Sequence, residues 1–202
     1  MTTLLGVPQI SQTLLEDLDR VGRKYARWTP EAYFELDGAY LVEYCRGNLE
    51  ILPMPTMAHQ RIAAMLYSSL RAAAPAGGEV LFAGTRVKVA EETFREPDVL
   101  YIPAEFAGRD PEEFTEHAAI VIEVVSESNR DHDLQTKRRE YAEAGIPEYW
   151  IVDPELSRIT VLKLQGNRYV AHGEFQPGQT AVSALLPAFT IDVSACLAPA
   201  KQ

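Results

Sequence analysis

Residues 118–137 read AAIVIEVVSESNRDHDLQTK, and the apolar run that opens them, Ala118 to Val125, carries one carboxylate, Glu123, inside it. Side chains of a strand alternate between faces, so Glu123 shares a face with Val121 and Val125, while Ile120, Ile122 and Val124 take the other. With both faces apolar, the run predicts a central strand covered by helices on each side. An unpaired carboxylate in that position is costly to desolvate, or takes up a proton. Glu123 therefore calls for a cation. The residues that follow predict a helix over Asp131 to Ala144, ended by Gly145 as a left-handed cap. Asp133, Lys137 and Tyr141 then recur at i, i+4 and i+8, on one helix face, and Lys137 can turn back toward the strand.

Asp98 poses the same problem. It follows Pro97 and opens a second apolar strand, Asp98 to Ile102. If the two strands are neighbours, their carboxylates converge. Two carboxylates, water and a phosphate oxygen suit magnesium, which prefers hard oxygen ligands and keeps several waters. The competing expectation is a purely structural ion network among the same groups.

Outward from this centre, the pattern predicts a helix from Ser11 to Ala26, closed by Trp28-Thr29-Pro30. Strands Tyr40–Tyr44 and Leu49–Leu52 form a hairpin through Arg46-Gly47-Asn48, and a helix runs from Met57 to about Ala74. Short strands follow at Glu79–Phe82 and Thr85–Val89. Beyond the central helix come Glu148–Val152, Ile159–Leu164 and Tyr169–His172, with turns at Gly166-Asn167 and Pro177-Gly178. Met54, Met57 and Met65 are expected in the core. The order of strands and helices predicts an α/β (α+β) fold, one domain over 1–202, with an N-terminal helical extension over about 1–28 and a core over about 38–165.

Composition narrows the classes. The 202 residues carry 19 basic and 29 acidic side chains, a net charge of −10, which argues against tight non-specific binding of nucleic acid. A local basic groove is still open: Arg20, Arg23, Lys24 and Arg27 cluster in one helix, and Lys137, Arg138 and Arg139 are adjacent. Both clusters are equally expected of solvated helix faces. Two cysteines give no disulfide framework, and four histidines lie scattered without zinc spacing. With no membrane span and no secretory leader in view, the expected setting is the cytoplasm.

The segments EPDVLYI, IVIEVVSES and DLQTKRREYAEAGIPEYWIVD together resemble the PD-(D/E)XK, or restriction-endonuclease-like, superfamily, and in particular its Uma-two-like branch of endonucleases. The similarity runs from about Val42 to Leu164. Pro97-Asp98 matches the PD element and Glu123 the acidic element. Val125 stands where the superfamily lysine belongs, and in this branch the lysine has moved to the next helix, here Lys137. The resemblance implies a mixed central sheet flanked by helices. It implies an Mg2+-dependent endonuclease, with Mn2+ as a substitute, hydrolysing phosphodiester bonds of DNA. Asp98 and Glu123 would hold the metal and Lys137 would assist. Enzymes of the superfamily that cut both strands often pair two sites, so a homodimer is compatible. Four supporting positions follow. Glu43 is a further acidic group or an exposed hairpin residue; His59 is a hydrogen-bonded structural histidine or a catalytic one; Asp133 orients Lys137; Tyr141 packs against or hydrogen-bonds the site. The alternative function is an inactive nuclease-fold module that binds nucleic acid or protein.

Overall fold

The computed structural model describes residues 12–25, 27–36, 40–126, 130 and 132–201. Its centre is the apolar run that opened the sequence. Strand β7 (Ile120–Val124) is fully buried and pairs in parallel with β8 (Glu148–Asp153) and antiparallel with β6 (Val99–Ile102). The six-stranded sheet around it runs β10-β9-β8-β7-β6-β3, completed by β3 (Glu79–Phe82), β9 (Arg158–Gln165) and β10 (Arg168–Phe175). The one parallel pair makes it a mixed sheet, and the crossover between β7 and β8 carries the helix that brings Lys137.

Each face of this sheet is covered, as the two-faced apolar pattern of β7 requires. Helix α3 (Met57–Ala73) lays Ile62, Leu66 and Leu70 on Val99, Ile120, Ile122 and Trp150. Helix α4 (Arg138–Glu143) lays Tyr141 and Ala142 on Leu100, Val121, Tyr149 and Ile151. Thr56 caps α3 by accepting from the His59 N–H at 3.2 Å. Gly145, at φ +81°, ends α4: its N–H donates to Ala142 O, and the Ile146 N–H to Tyr141 O. That pair of bonds is a Schellman cap, which needs the left-handed backbone glycine adopts freely.

A second sheet, in the order β2-β1-β5-β4, stands beside the first. Strands β1 (Val42–Cys45) and β2 (Asn48–Ile51) form the expected hairpin, turning at Arg46 and Gly47, both at positive φ. The other pair is β4 (Val87–Ala90) and β5 (Thr93–Arg95), the latter unforeseen because three residues are too few for a period-two pattern. The hairpin thus belongs to a separate four-stranded layer rather than to the edge of the central sheet. Helix α1 (Gln12–Lys24) packs Leu14 and Val21 onto this sheet in a cluster with Tyr33, Tyr44 and Phe94. The expected cap Ser11 and end Ala26 of α1, and the expected start Asp131 of the central helix, lie outside the described residues.

Several expectations are corrected. Trp28-Thr29-Pro30 does more than close α1: Thr29 caps a new short helix, α2 (Pro30–Phe34), with proline at its start. Strand β10 extends to Phe175, and a small sheet of β11 (Thr180–Val182) and β12 (Thr190–Asp192), with helix α5 (Val193–Leu197), covers the α3 side of the core. The three methionines expected in the core are exposed instead: Met54 at 80%, Met57 at 69% and Met65 at 36%. No helix among the described residues is long and apolar enough to cross a membrane.

The C-terminal layer is anchored by a second buried carboxylate. Glu148 accepts from Trp150 Nε1 at 2.6 Å and from Ser183 Oγ, Ala184 N–H and Leu185 N–H at 2.7 Å. Its charge is carried by neutral donors alone. Glu148→Ala strands four donors and removes that anchor, so the variant is expected to lose about 3 kcal/mol of stability. For a chain of this size that is a fall in Tm of roughly 6–12 °C, read by thermal denaturation.

Candidate metal and phosphodiester site

The register of β6 on β7 places Val99 opposite Ile122 and Leu100 opposite Val121. Asp98, the residue before β6, therefore stands level with Glu123 and on the same face of the sheet. Asp98 is fixed by the end of β7 and by α3: its Oδ2 accepts the Val124 N–H at 2.7 Å and lies 3.2 Å from His59 Nε2. The same His59 nitrogen is 3.1 Å from Val124 O. A carbonyl can only accept, so Nε2 carries the proton. Burial draws the His59 pKa down, but Asp98 outweighs it and the net displacement is upward.

Lys137 reaches Glu123 by a route the sequence did not show. Residues His132–Lys137 form a π-helical turn, which passes into α4. Such wide turns are rare and often found at functional sites. Here the turn delivers Lys137 into the interior, where the residue is 2% exposed. Nζ lies 2.9 Å from Glu123 Oε1, 2.9 Å from Glu43 Oε1 and 3.6 Å from Asp133 Oδ1. Tyr141 OH donates to the same Glu123 Oε1 at 2.7 Å. The solvated face expected of the basic triplet holds for Arg138 and Arg139 but not for Lys137.

Glu43 was open to two interpretations, and its burial decides between them. Its exposure is 0%, so it is no exposed hairpin residue. Besides Lys137 it accepts the Glu96 N–H at 3.0 Å on Oε1 and Arg95 Nη1 at 2.9 Å on Oε2. Arg95, itself 1% exposed, also pairs with Glu50 and, through Nε at 2.7 Å, with Glu140 of α4. Arg95 was missed because it falls in the unrecognised strand β5. The available signal was its place directly before Glu96-Pro97-Asp98, flanked by the apolar Phe94.

His132, one of the histidines that seemed scattered, sits 3.5 Å from Glu43 and 3.6 Å from Glu50. Glu43, Glu50 and His132 bring their ligand atoms within 4.8 Å of one another. The Arg95 guanidinium is already seated against both carboxylates, so a fixed cation fills that corner.

Charge around Lys137 is unbalanced. Its ammonium faces three carboxylates, and they raise its pKa although burial opposes them. Burial also pushes Glu123 well up; Lys137 opposes this, and Asp133, Asp98 and Glu43 add to it by like-charge repulsion. Asp133 rises to about 6 for the same reasons, burial first. Glu43 goes the other way. Burial would raise it, but Lys137, His132, Arg95 and the Glu96 N–H together hold it well below the usual carboxylate range.

Asp98, Glu123, Asp133, Lys137 and His59 all line one cavity of about 1030 Å3. The bonds described on Asp98 fall on Oδ2 and those on Glu123 on Oε1, so each carboxylate keeps a second oxygen. Hard oxygen donors, surplus negative charge and room for water match the requirements of Mg2+ or Mn2+. The residues fit the metal.

A mixed sheet with helices on both faces and strand-borne carboxylates at one end is the restriction-endonuclease-like fold. The chain resembles a solved structure from Anabaena variabilis ATCC 29413, described as a "putative nuclease", with a TM-score of 0.71 and 15% identity over 85% of this chain and 98% of that one. The sequence model of the Uma2 family, described as "Putative restriction endonuclease", matches residues 30–194, and the chain belongs to that family. No curated protein matches it.

The depressed Glu43 pKa makes stability depend on pH. A carboxyl with a lowered folded pKa stabilises above its ordinary value near 4.5 and loses that contribution as pH falls below it. Glu43→Gln is therefore expected to be clearly less stable than wild type at neutral pH, by about 3 kcal/mol for a broken buried pair. The gap should narrow on acidification below the ordinary carboxylate pKa. Urea unfolding of both proteins across that range checks it; a constant gap would contradict the assignment of charge to Glu43.

Proposed function

We propose that this chain is a metal-dependent endonuclease that hydrolyses phosphodiester bonds of DNA, with Asp98 and Glu123 as ligands of Mg2+ and Lys137 as the catalytic cation. The observation that carries the proposal is the register of β6 on β7, which sets Asp98, one residue before β6, level with Glu123. Both open onto one cavity, beside a lysine outnumbered by carboxylates. The family description supports the class of reaction, and the charge deficit supports the metal.

When bound, a divalent ion supplies Lewis-acid polarisation of a phosphate oxygen and lowers the pKa of a water. The residues of the chain do the rest. Lys137 Nζ donates to Glu123 Oε1 and is ion-paired with Glu43 at 2.9 Å, and it lines the cavity in which a phosphate oxygen or a nucleophilic water would meet it. Its charge sits on a buried side chain, where it stabilises developing negative charge more strongly than in bulk solvent. Tyr141 and Lys137 both hold Glu123 Oε1, leaving Oε2 to the metal. His59 and the Val124 N–H hold Asp98 Oδ2 in the same manner. Glu43 is a positioning residue: it keeps Lys137 charged and forward, and is itself aligned by Arg95.

Asp98→Ala and Glu123→Ala are expected to abolish uptake of Mg2+ and Mn2+ in isothermal titration, and to reduce plasmid and oligonucleotide cleavage to background. Both variants should stay folded, since Lys137 keeps Glu43 and Asp133 as partners. Lys137→Met is expected to lose cleavage while still taking up metal. Cleavage at the wild-type rate by any of the three would refute the site.

A further inference from the structure

The cleft beside the carboxylates lacks what a duplex-binding surface needs. Among the described residues its lining carries five acidic side chains, Glu96, Asp98, Glu123, Asp133 and Glu155. Its arginine and lysine, Arg130 and Lys137, are both engaged: Arg130 with Asp153 and Glu155, Lys137 with Glu43 and Glu123. Affinity for duplex DNA rests on neutralising many phosphates with basic side chains, and the described residues of this wall offer only Arg130 and Lys137, each already paired with carboxylates.

It offers aromatic and apolar surface instead. Phe82 ends β3, lines the cleft and is 50% exposed. Its ring stacks on Tyr67 of α3 at 3.9 Å between centroids and 18° between planes, so one face is backed and held flat. The strand pairing sets Phe82 opposite Val99, on the α3 face of the sheet, while the next residue, Ala83, donates its N–H to Asp98 O at 3.0 Å, so ring and carboxylate line one cleft from the two faces of the sheet. Met54, Pro53 and Pro55 continue the apolar lining. A fixed, half-exposed ring in the cleft that Asp98 and Glu123 line is the stacking element with which proteins hold unpaired nucleotides, since every base has a face to stack.

We propose that the substrate of this cleft is single-stranded DNA, with one unpaired base stacked on Phe82 and the adjoining phosphate directed to Asp98 and Glu123. The neutral base face meets the neutral wall, and only the phosphate approaching the metal enters the acidic floor. The proposal rests on the nuclease reading of the same site and adds the form of the substrate.

Fluorescence anisotropy with Ca2+, chosen to allow binding without turnover, would compare a labelled unstructured DNA strand, its duplex and the same sequence as RNA. Wild type, Phe82→Ala and Phe82→Trp would be measured, with cleavage in Mg2+ and Mn2+ alongside. The expected result is single-strand binding at least about tenfold tighter than duplex, a loss of about tenfold in Phe82→Ala, and retention in Phe82→Trp. Equal affinity for strand and duplex would overturn the proposal, as would an unchanged Phe82→Ala or tighter binding of RNA. Duplex cleaved equally by wild type and Phe82→Ala, with no strand preference, removes the stacking site and leaves the nuclease assignment standing. Absence of binding and cleavage on every substrate removes both.

Discussion

The contact on which the site depends is that of Lys137 Nζ with Glu43 and Glu123, each at 2.9 Å, because it joins three parts of the fold at one point. Glu123 comes from the central strand of one sheet, Glu43 from the hairpin of the other, and Lys137 from the crossover helix between β7 and β8. Buried ion pairs rarely exceed the stability of an apolar replacement, since the desolvation of both charges offsets their attraction. An interior built for stability alone would fill this volume with leucine. The persistence of an ammonium among three carboxylates is better explained by what it leaves available to the cavity.

Buried carboxylates in this chain divide by the partners they are given. Glu148 is surrounded by neutral donors, and its full set of bonds ties β8 to residues 183–185. Glu43 is held by two cations and a backbone N–H, which keep its carboxyl well below the usual range. Glu123 has one ammonium shared with two other carboxylates and one tyrosine hydroxyl. Its charge is under-compensated, and so is that of Asp133. Composition cannot tell these three glutamates apart; only the balance of donors and cations at each does. The deficit sits where the cavity opens, since Glu123 and Asp133 line it and Glu43 and Glu148 do not.

Much of the centre was legible in the sequence because it obeys period two. The apolar run around Glu123 and the Pro97-Asp98 strand gave neighbouring strands, and the surplus carboxylate gave the need for a lysine. Lys137 and Asp133 do lie together, although the π-helical turn that carries them departs from the α spacing used to infer it. What was not legible depends on long-range register or on short segments. Arg95 sits in a three-residue strand, too short for a periodic signal. Glu43 stayed open between a site group and an exposed residue because a hairpin alone has two open faces; the burial comes from the crossover helix and β5, far away in sequence. His132 became a neighbour of Glu43 only through the same packing. The methionines failed for the opposite reason: Met54 lines the cleft and Met57 and Met65 lie exposed on α3, and apolar character alone fixes no position.

The second sheet thereby acquires a purpose that its size would not suggest. It supplies Glu43 from β1 and Arg95 from β5, and Arg95 is clasped on its far side by Glu140 of α4. Arg95 thus links the hairpin to the helix that follows the Lys137 turn, and fixes the angle at which Glu43 meets the lysine. A displacement of either sheet relative to α4 would break Arg95 contacts before it altered any strand pairing. Lys137 is consequently positioned by the relative placement of two sheets and one helix rather than by its own helix alone. Lys137 thus reaches the carboxylate of β7 from the crossover rather than from the strand itself, with its ammonium held from the other side by Glu43.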